Sequence, residues 1–246
     1  MEKTSVPAVS RAFAVLEYLA HSRAPRSLKD IYTELKLPKT SVFSLMNTLV
    51  ALGVARRTDS NAYIPGIRLY SLGVGARLAL EENRFSLKRL EALRDEVGLT
   101  VYMTVFDNGE YIVWEKVEGS DPVWFKAYPG ERRKLNTSSA GKAIAAYLSP
   151  PELELALSLG LDKGTEKTIT TNEEFIEHLR TVRENGYAVD DEEWEKGIFC
   201  LGVPVFSAGR VYGSISLSTL KSRIQFADIP RYIAALKRAS ADISTE

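Results

Sequence analysis

The spacing of apolar residues over the first fifty positions predicts three short helices. Ser10 is placed to cap the first helix, in which apolar residues between 12 and 19 recur at helical intervals. Ser27 opens a second, shorter helix, and a third runs from about residue 40 to residue 52. Gly53 is suited to the left-handed residue that ends a helix. The N-terminal region is therefore predicted to be a compact bundle of three helices.

A basic hairpin and a further helix follow. The segment VARRTDSNAYI (54–64) predicts a short strand that carries Arg56 and Arg57, a turn, and a second strand, and so the wing of a winged helix-turn-helix. From residue 65 to 82, apolar residues return at helical spacing and predict a linking helix. Its two glycines each cost about 1 kcal/mol relative to alanine unless another backbone packs closely. This favours a dimer contact along the helix.

The remaining residues, 83–246, alternate between helical and strand patterns. A helix over 84–97 ends at Gly98, and the alternating segments LTVYMTVF and YIVWEKVE around a DNGE turn predict a hairpin. Further strands are predicted at 123–128, 197–207 and 210–218, and helices at about 139–148, 151–159, 172–185 and 228–244. The pattern predicts an α+β fold around an antiparallel sheet, with helices on one face and a ligand cup on the other face or among its loops. We thus expect a DNA-binding head over 1–64, a linker over 65–82 and a second domain over 83–246.

Composition narrows the class of protein. With 45% hydrophobic and 26% charged residues, the chain suits two globular domains. No apolar run reaches the length of a signal peptide or the roughly 20 residues of a bilayer span, so a soluble, cytoplasmic protein without a membrane partner is expected. One cysteine and two histidines exclude a disulfide framework and a zinc cluster. We expect neither a metal nor a cofactor.

The charge is distributed unevenly. Residues 1–80 hold 11 lysines and arginines against 5 acids, net +6, and the rest holds 21 against 27, net −6. The outward face of the third helix carries small hydrogen-bonding side chains that suit a DNA groove, and the wing suits the phosphate backbone. The residues expected at the DNA are Lys39, Thr40, Ser41, Phe43, Ser44, Asn47, Thr48, Arg56 and Arg57. The alternative is a helical module that binds protein.

Several segments in order resemble one family. They are RAFAVLEYLA, LPKTSVFSLMNTLVALGV, YIPG, LNTSSAGKAIAAYLSPPE (135–152), TITTNEEFIEHLRTVRENGYA and ENGYAVDDEEWEKGIFCLGVPVF (184–206). Together they resemble the IclR family, the isocitrate-lyase-regulator type of transcription factor. The resemblance implies a winged helix-turn-helix, a linking helix and a GAF-like effector domain, with homodimers or homotetramers on a double-stranded DNA operator. Family members commonly have an arginine where this chain has Ser44, and serine cannot make the bidentate guanine contact of arginine.

The resemblance also implies an effector pocket. Its residues would be Phe125, Ser139, Ala140, Asp190, Cys200, Ser216 and Ser218. Strand alternation independently puts Ser216 and Ser218 on one face. The alternative for Ser139 and Ala140 is an ordinary capped helix, and Glu192 and Glu193 are expected in a solvated loop.

The sequence contains no set of residues that predicts an enzyme active site. Ser-Ala-Gly-Lys (139–142) is not a phosphate loop, because Asn136 stands where its first glycine would be. No Ser-His-Asp or Cys-His set can be assembled around Cys200. We therefore expect a sequence-specific DNA-binding regulator, not an enzyme, whose operator affinity responds to a small metabolite. The alternative is a metabolite-binding enzyme or sensor with an accessory helical head.

Overall fold

A computed structural model describes residues 6–22, 24–80, 87–120 and 127–244 of the chain. Contacts divide the chain into two compact units, Met1–Glu82 and Asn83–Glu246. No helix in the described part of the chain is long and apolar enough to cross a membrane.

The first unit contains the predicted bundle and wing. Its helices and strands are α1 (Pro7–His21), α2 (Leu28–Glu34), α3 (Lys39–Ala51), β1 (Ala55–Arg57), β2 (Tyr63–Pro65) and α4 (Ile67–Leu80). Val15, Ile31, Val42 and Met46 are fully buried between the first three helices. They form one core, which the 3.6-residue periodicity of the sequence predicts.

Two of the three helix ends that the sequence predicts are present in the structure. Ser27 caps α2, since its side chain accepts from the Asp30 N–H while Asp30 accepts from the Ser27 N–H. Gly53 adopts φ 71°, the left-handed conformation expected after α3. The predicted cap at Ser10 is wrong: the N-cap is Val6, four residues earlier, and α1 begins at Pro7, because proline is well suited to the first position of a helix.

The second unit is built on one antiparallel sheet. Its strands are β3 (Thr100–Asp107), β4 (Glu110–Val117), β5 (Arg132–Arg133), β6 (Ala188–Asp191), β7 (Ile198–Ser207) and β8 (Arg210–Leu220). In space the order is β5-β4-β3-β8-β7-β6, so β5 and β6 form its two edges. The predicted α+β class with an antiparallel sheet is confirmed. The predicted strand at 123–128 falls mostly on residues outside the described part, and β5 and β6 were not predicted.

Helices cover both faces of this sheet. They are α5 (Leu87–Val97), α6 (Ser139–Ala145), α7 (Pro150–Ser158), α8 (Asn172–Asn185) and α9 (Ile229–Ile243). α5 and α9 pack on the face that carries Val101, Met103 and Leu217. α6 and α8 pack on the opposite face with Tyr111 and Val113. The expectation of one open face is therefore wrong, and a ligand cup on an open face of the sheet is excluded.

Candidate functional site

The exposed face of α3 carries the side chains that the sequence assigns to DNA. Thr40, Phe43 and Asn47 are exposed, and Phe43 retains 53% of its accessible surface. Ser44 and Thr48 are exposed beside them, and the Thr48 hydroxyl donates to the Ser44 carbonyl at 3.1 Å. Lys39 is exposed at the first position of the helix, whereas Ser41 is half-buried. The face is polar apart from one exposed aromatic ring.

The wing holds both of its arginines in solvent. Arg56 and Arg57 are exposed on β1, which pairs with β2 in antiparallel register. Tyr63 of β2 is buried and exchanges two backbone hydrogen bonds with Arg26, of 2.7 and 2.9 Å. The hairpin is thus anchored to the segment before α2, while its cationic side chains remain available to a polyanion.

An apolar groove of about 920 Å³ lies within the first unit, between α1, α3 and α4. Phe13, Leu52 and Leu72 line it and remain about half exposed or more. Ser41, Ser44 and Thr48 also border this groove. The apolar side chains of α4 surround the helix instead of forming a stripe, and those of Ile67 and Tyr70 are more than 70% exposed.

A cavity of about 60 Å³ lies in the second unit, between the sheet and the start of α6, and most of its accessible surface is apolar; we call it the α6 cavity. It brings together six of the residues predicted for an effector: Ser139, Ala140, Asp190, Cys200, Ser216 and Ser218. Phe125, the seventh, lies outside the described residues. The other lining residues are Tyr102, Thr104, Tyr111, Val113, Ala127, Arg133, Ser138, Trp194, Glu195 and Ile198.

Two glycines allow α6 to begin at the floor of this cavity. A Cβ atom on Gly141 would lie 2.5 Å from the Leu135 carbonyl oxygen, and one on Gly202 would lie 2.7 Å from the Ser139 carbonyl oxygen. Ser138 caps the helix by accepting from the Gly141 N–H at 3.1 Å. The Ser-Ala-Gly-Lys segment therefore needs its glycine for close backbone packing, not for a phosphate.

Hydroxyl groups supply most of the polar atoms in an otherwise largely apolar cavity wall. The Cys200 sulfur lies 3.1 Å from the Ser218 hydroxyl, and the Tyr111 hydroxyl lies 2.9 Å from that of Ser138. The hydroxyls of Tyr102 and Ser139 are buried without a hydrogen-bond partner among the described residues. A buried hydroxyl without a partner costs free energy, so both groups suit a bound polar molecule.

Asp190 is the buried carboxylate of this wall, at 1% exposure. Burial raises its pKa to about 6, although the Glu193 N–H donates to Oδ1 at 2.8 Å and the Lys142 charge lies nearby. Burial also raises the pKa of the Cys200 thiol far above its ordinary value, and Asp190 adds to that effect. A thiol in this state is protonated and a poor nucleophile.

Glu193 corrects one expectation. It is 9% exposed and pairs with the fully buried ammonium of Lys142, so it does not belong to a solvated loop. Glu192 lies closer to the surface, with its carboxylate held by Lys167 and Lys221 at 2.6 and 2.9 Å. The acidic run after β6 is thus tied down by lysines from three parts of the chain.

The sequence did not reveal Arg133, Tyr102 or Trp194 as cavity residues. Tyr102 had a usable signal, because it alternates with the core residues Val101 and Met103 on β3. Arg133 lies in the run Glu-Arg-Arg-Lys, which is typical of a solvated loop. Only the tertiary fold turns its side chain inward.

Comparison with known proteins now decides the family. Residues 83–245 match the family model described as "Bacterial transcriptional regulator IclR C-terminal", and residues 8–59 match the "IclR helix-turn-helix domain". The chain belongs to the IclR family. It is a DNA-binding transcriptional regulator with a C-terminal effector-binding domain, and the curated relatives of this IclR-type chain are transcriptional regulators.

Individual relatives resemble the chain over nearly its whole length. It is 28% identical over 242 residues to the HTH-type transcriptional regulator XynR of Escherichia coli K12, covering 97% of this chain and 96% of XynR. An IclR transcriptional regulator from Alicyclobacillus acidocaldarius is 28% identical, with a TM-score of 0.81 and 98% of each chain covered. An IclR homologue from Microbacterium hydrocarbonoxydans, solved with 4-hydroxybenzoate, shares the fold at 22% identity, a TM-score of 0.80 and coverage of 96% and 97%.

Proposed function

We propose that this IclR-type regulator reads its operator with α3 and the wing, and that a small ligand in the α6 cavity modulates the affinity for DNA. The contacts assigned to DNA are those of Lys39, Thr40, Ser41, Phe43, Ser44, Asn47, Thr48, Arg56 and Arg57. The supporting observation is the pairing of an exposed polar helix face with two exposed arginines on the adjacent hairpin. Such a protein acts where chromosomal DNA is, and we therefore place it in the cytoplasm.

The ligand we propose is a small metabolite with hydroxyl or carboxylate groups. Ser216, Ser218 and Ser139 offer hydroxyls to it, and the N–H groups of Ser139 and Ala140 have no partner within α6 because they belong to its first turn. Asp190 would accept a hydroxyl or amine proton of the ligand. The 4-hydroxybenzoate bound by the Microbacterium protein carries both kinds of group and is a reasonable first compound to test.

The cavity is suited to binding and not to catalysis. Its thiol, Cys200, is held protonated by burial, and His178 does not line the cavity. Asp190 is the buried carboxylate of the wall, but among the described residues neither an activated nucleophile nor a histidine lines the cavity beside it. We therefore assign the chain a regulatory role without enzyme activity.

We further propose that the chain forms a homodimer or homotetramer through its first unit. The groove between α1, α3 and α4 is apolar, and a helix with apolar residues all round is stable only when a partner covers it. A Cβ atom on Gly73 or Gly75 would meet no atom within 4 Å, which leaves room for a second backbone. Paired heads would also match a two-fold operator.

Two experiments test these proposals. A gel-shift assay on the DNA upstream of the gene for this protein, with a non-specific competitor, should show a retained complex; the complete absence of a specific complex would contradict the DNA-binding role. Sedimentation at micromolar concentration should show a dimer or larger species, which Leu72→Asp should dissociate. Leu155→Asp, which changes an exposed leucine of the second unit, is the matched control. A monomer for the unmodified protein would refute self-association.

A further inference from the structure

One cation reaches the wall of the α6 cavity. The Arg133 side chain is 8% exposed, lies on the edge strand β5 and lines the cavity. Its guanidinium carbon lies 4.3 Å from the centre of the Trp194 ring, which follows β6 at the opposite edge of the sheet. Stacking on an aromatic ring holds a guanidinium in one plane and one orientation. Arg133 therefore presents a fixed, largely dehydrated positive charge.

One partner of this charge, the Glu131 carboxylate, is placed so that a ligand carboxylate can replace it. Glu131 accepts from Nε and Nη2 of Arg133 through a single oxygen, Oε1, with both distances 2.9 Å. The Glu131 side chain is 27% exposed and does not line the cavity. A carboxylate that offers two oxygens to the planar fork of an arginine binds more strongly than one that offers a single oxygen.

Hydrogen bonds join Arg133 to the start of α6. Arg133 is bonded to the Tyr111 hydroxyl, which lies 2.9 Å from the hydroxyl of Ser138, the residue that caps α6. The buried hydroxyls of Tyr102 and Ser139 also line the cavity, and they have no hydrogen-bond partner among the described residues. The Arg133 guanidinium and these hydroxyl donors suit an anionic group of a ligand. The Asp190 carboxylate, which also lines the cavity, suits a hydrogen-bond donor of the ligand.

We propose that Arg133 determines specificity in this pocket and that the ligand is a carboxylic acid bearing a hydroxyl or amino group. The carboxylate exchanges with Glu131 on the guanidinium and receives the Tyr102 or Ser139 hydroxyl, and the second group donates to Asp190. This inference rests on the proposed effector function of the α6 cavity and adds the charge of the ligand to it. The Arg133–Trp194 stack keeps the guanidinium in place during the exchange.

The test compares acids with their neutral amides on the full chain. Calorimetric titration uses 4-hydroxybenzoate against 4-hydroxybenzamide and lactate against lactamide, at concentrations up to the millimolar range. The acids should bind more tightly than the amides, and Arg133→Gln should weaken acid binding by about 10- to 100-fold while leaving the amides unchanged. Arg132→Gln is the matched control, because this neighbouring arginine on β5 pairs with Asp107 and Glu110 and does not line the cavity.

A second variant, Glu131→Gln, leaves Arg133 in place and predicts tighter binding, a result that misfolding cannot produce. Glu131→Gln removes the competing carboxylate, so acid binding should become tighter by several-fold and amide binding should not change. The proposal is overturned if no acid binds the unmodified protein, if the preference for acids survives Arg133→Gln, or if Glu131→Gln weakens acid binding.

A cavity-filling variant separates this inference from the function on which it rests. Cys200→Trp should abolish binding of acids and amides alike. If compounds bind without a preference for acids and Cys200→Trp abolishes that binding, the effector pocket is supported and the proposed role of Arg133 is refuted. If binding survives Cys200→Trp, the pocket itself is misassigned.

Discussion

The ammonium of Lys142 is fully buried and pairs with the carboxylate of Glu193, 51 positions later in the chain. This pair joins α6, which begins at the α6 cavity, to the loop that directly follows β6, the strand that carries Asp190. A buried pair of this kind is costly to break from one side, because the remaining charge stays in a medium of low polarity. The pair therefore fixes the loop against α6.

Removing one member of the pair should be far more damaging than removing both. We expect Lys142→Met to lower the free energy of unfolding by about 3 to 5 kcal/mol, and the double variant Lys142→Met/Glu193→Leu to lose much less. Urea unfolding followed by tryptophan fluorescence measures this, because all three tryptophans lie after residue 83. As a control, Lys163→Met breaks an exposed pair with Glu166 and should cost less than about 1 kcal/mol. If the loss of unfolding free energy in the double variant equals the sum of the losses in Lys142→Met and Glu193→Leu, the two residues are not coupled.

Much of the fold was predictable because its signals are local. The continuous apolar run of β7 predicts that strand, and the alternation of serines with Ile215 and Leu217 in β8 predicts the shared face of Ser216 and Ser218. The Ser27 cap needs only residues three positions apart. Both serines line the α6 cavity.

The parts that were missed depend on distant contacts. Lys142 follows a glycine in a short helix, and no residue near it in the sequence indicates that its ion-pair partner is Glu193, 51 positions away. Arg133 is similar, since a charged run normally faces solvent and its burial depends on Trp194 from the opposite edge of the sheet. The start of α1 was a local signal that we misread, because Pro7 outweighed Ser10.

Asp190 predicts a pH dependence of stability with a definite sign. Its folded pKa, about 6, lies above the ordinary 3.8, so between about pH 4 and 6 the folded protein retains a proton that the unfolded chain has released. Stability attributable to Asp190 is therefore present below about pH 4 and is lost as the pH rises to about 6, by a total of about 3 kcal/mol.

Asp190→Asn isolates this effect, because asparagine keeps an oxygen for the Glu193 N–H but does not titrate. The difference in unfolding free energy between the unmodified protein and Asp190→Asn should fall from pH 4 to 6 and remain constant at higher pH. Urea titrations at several pH values measure it. A difference that rises with pH, or that does not change, would contradict the raised pKa.

The wing predicts a loss of affinity that does not depend on DNA sequence. Reversing Arg56 and Arg57 to glutamate should weaken binding to operator and random DNA alike and make the plot of log affinity against log salt shallower by up to about 2, since each phosphate contact contributes about 0.9. Arg180→Glu/Lys163→Glu makes the same change of charge on exposed residues of the second unit and is the control. An unchanged salt slope in the wing variant would remove these arginines from the phosphate contacts.

Asn47 should behave in the opposite way, because its exposed amide on α3 can donate to and accept from one base edge. We expect Asn47→Ala to cost about 1 to 3 kcal/mol on the operator, to have little effect on random DNA and to leave the salt slope unchanged. Thr48→Ala is the neighbouring comparison, and it should cost less because the Thr48 hydroxyl already donates to the Ser44 carbonyl. Fluorescence anisotropy with labelled operator and scrambled duplexes measures both variants over a range of salt concentrations. Equal losses on the two duplexes would mean that Asn47 contacts the phosphate backbone, and the sequence readout would then have to come from elsewhere on α3.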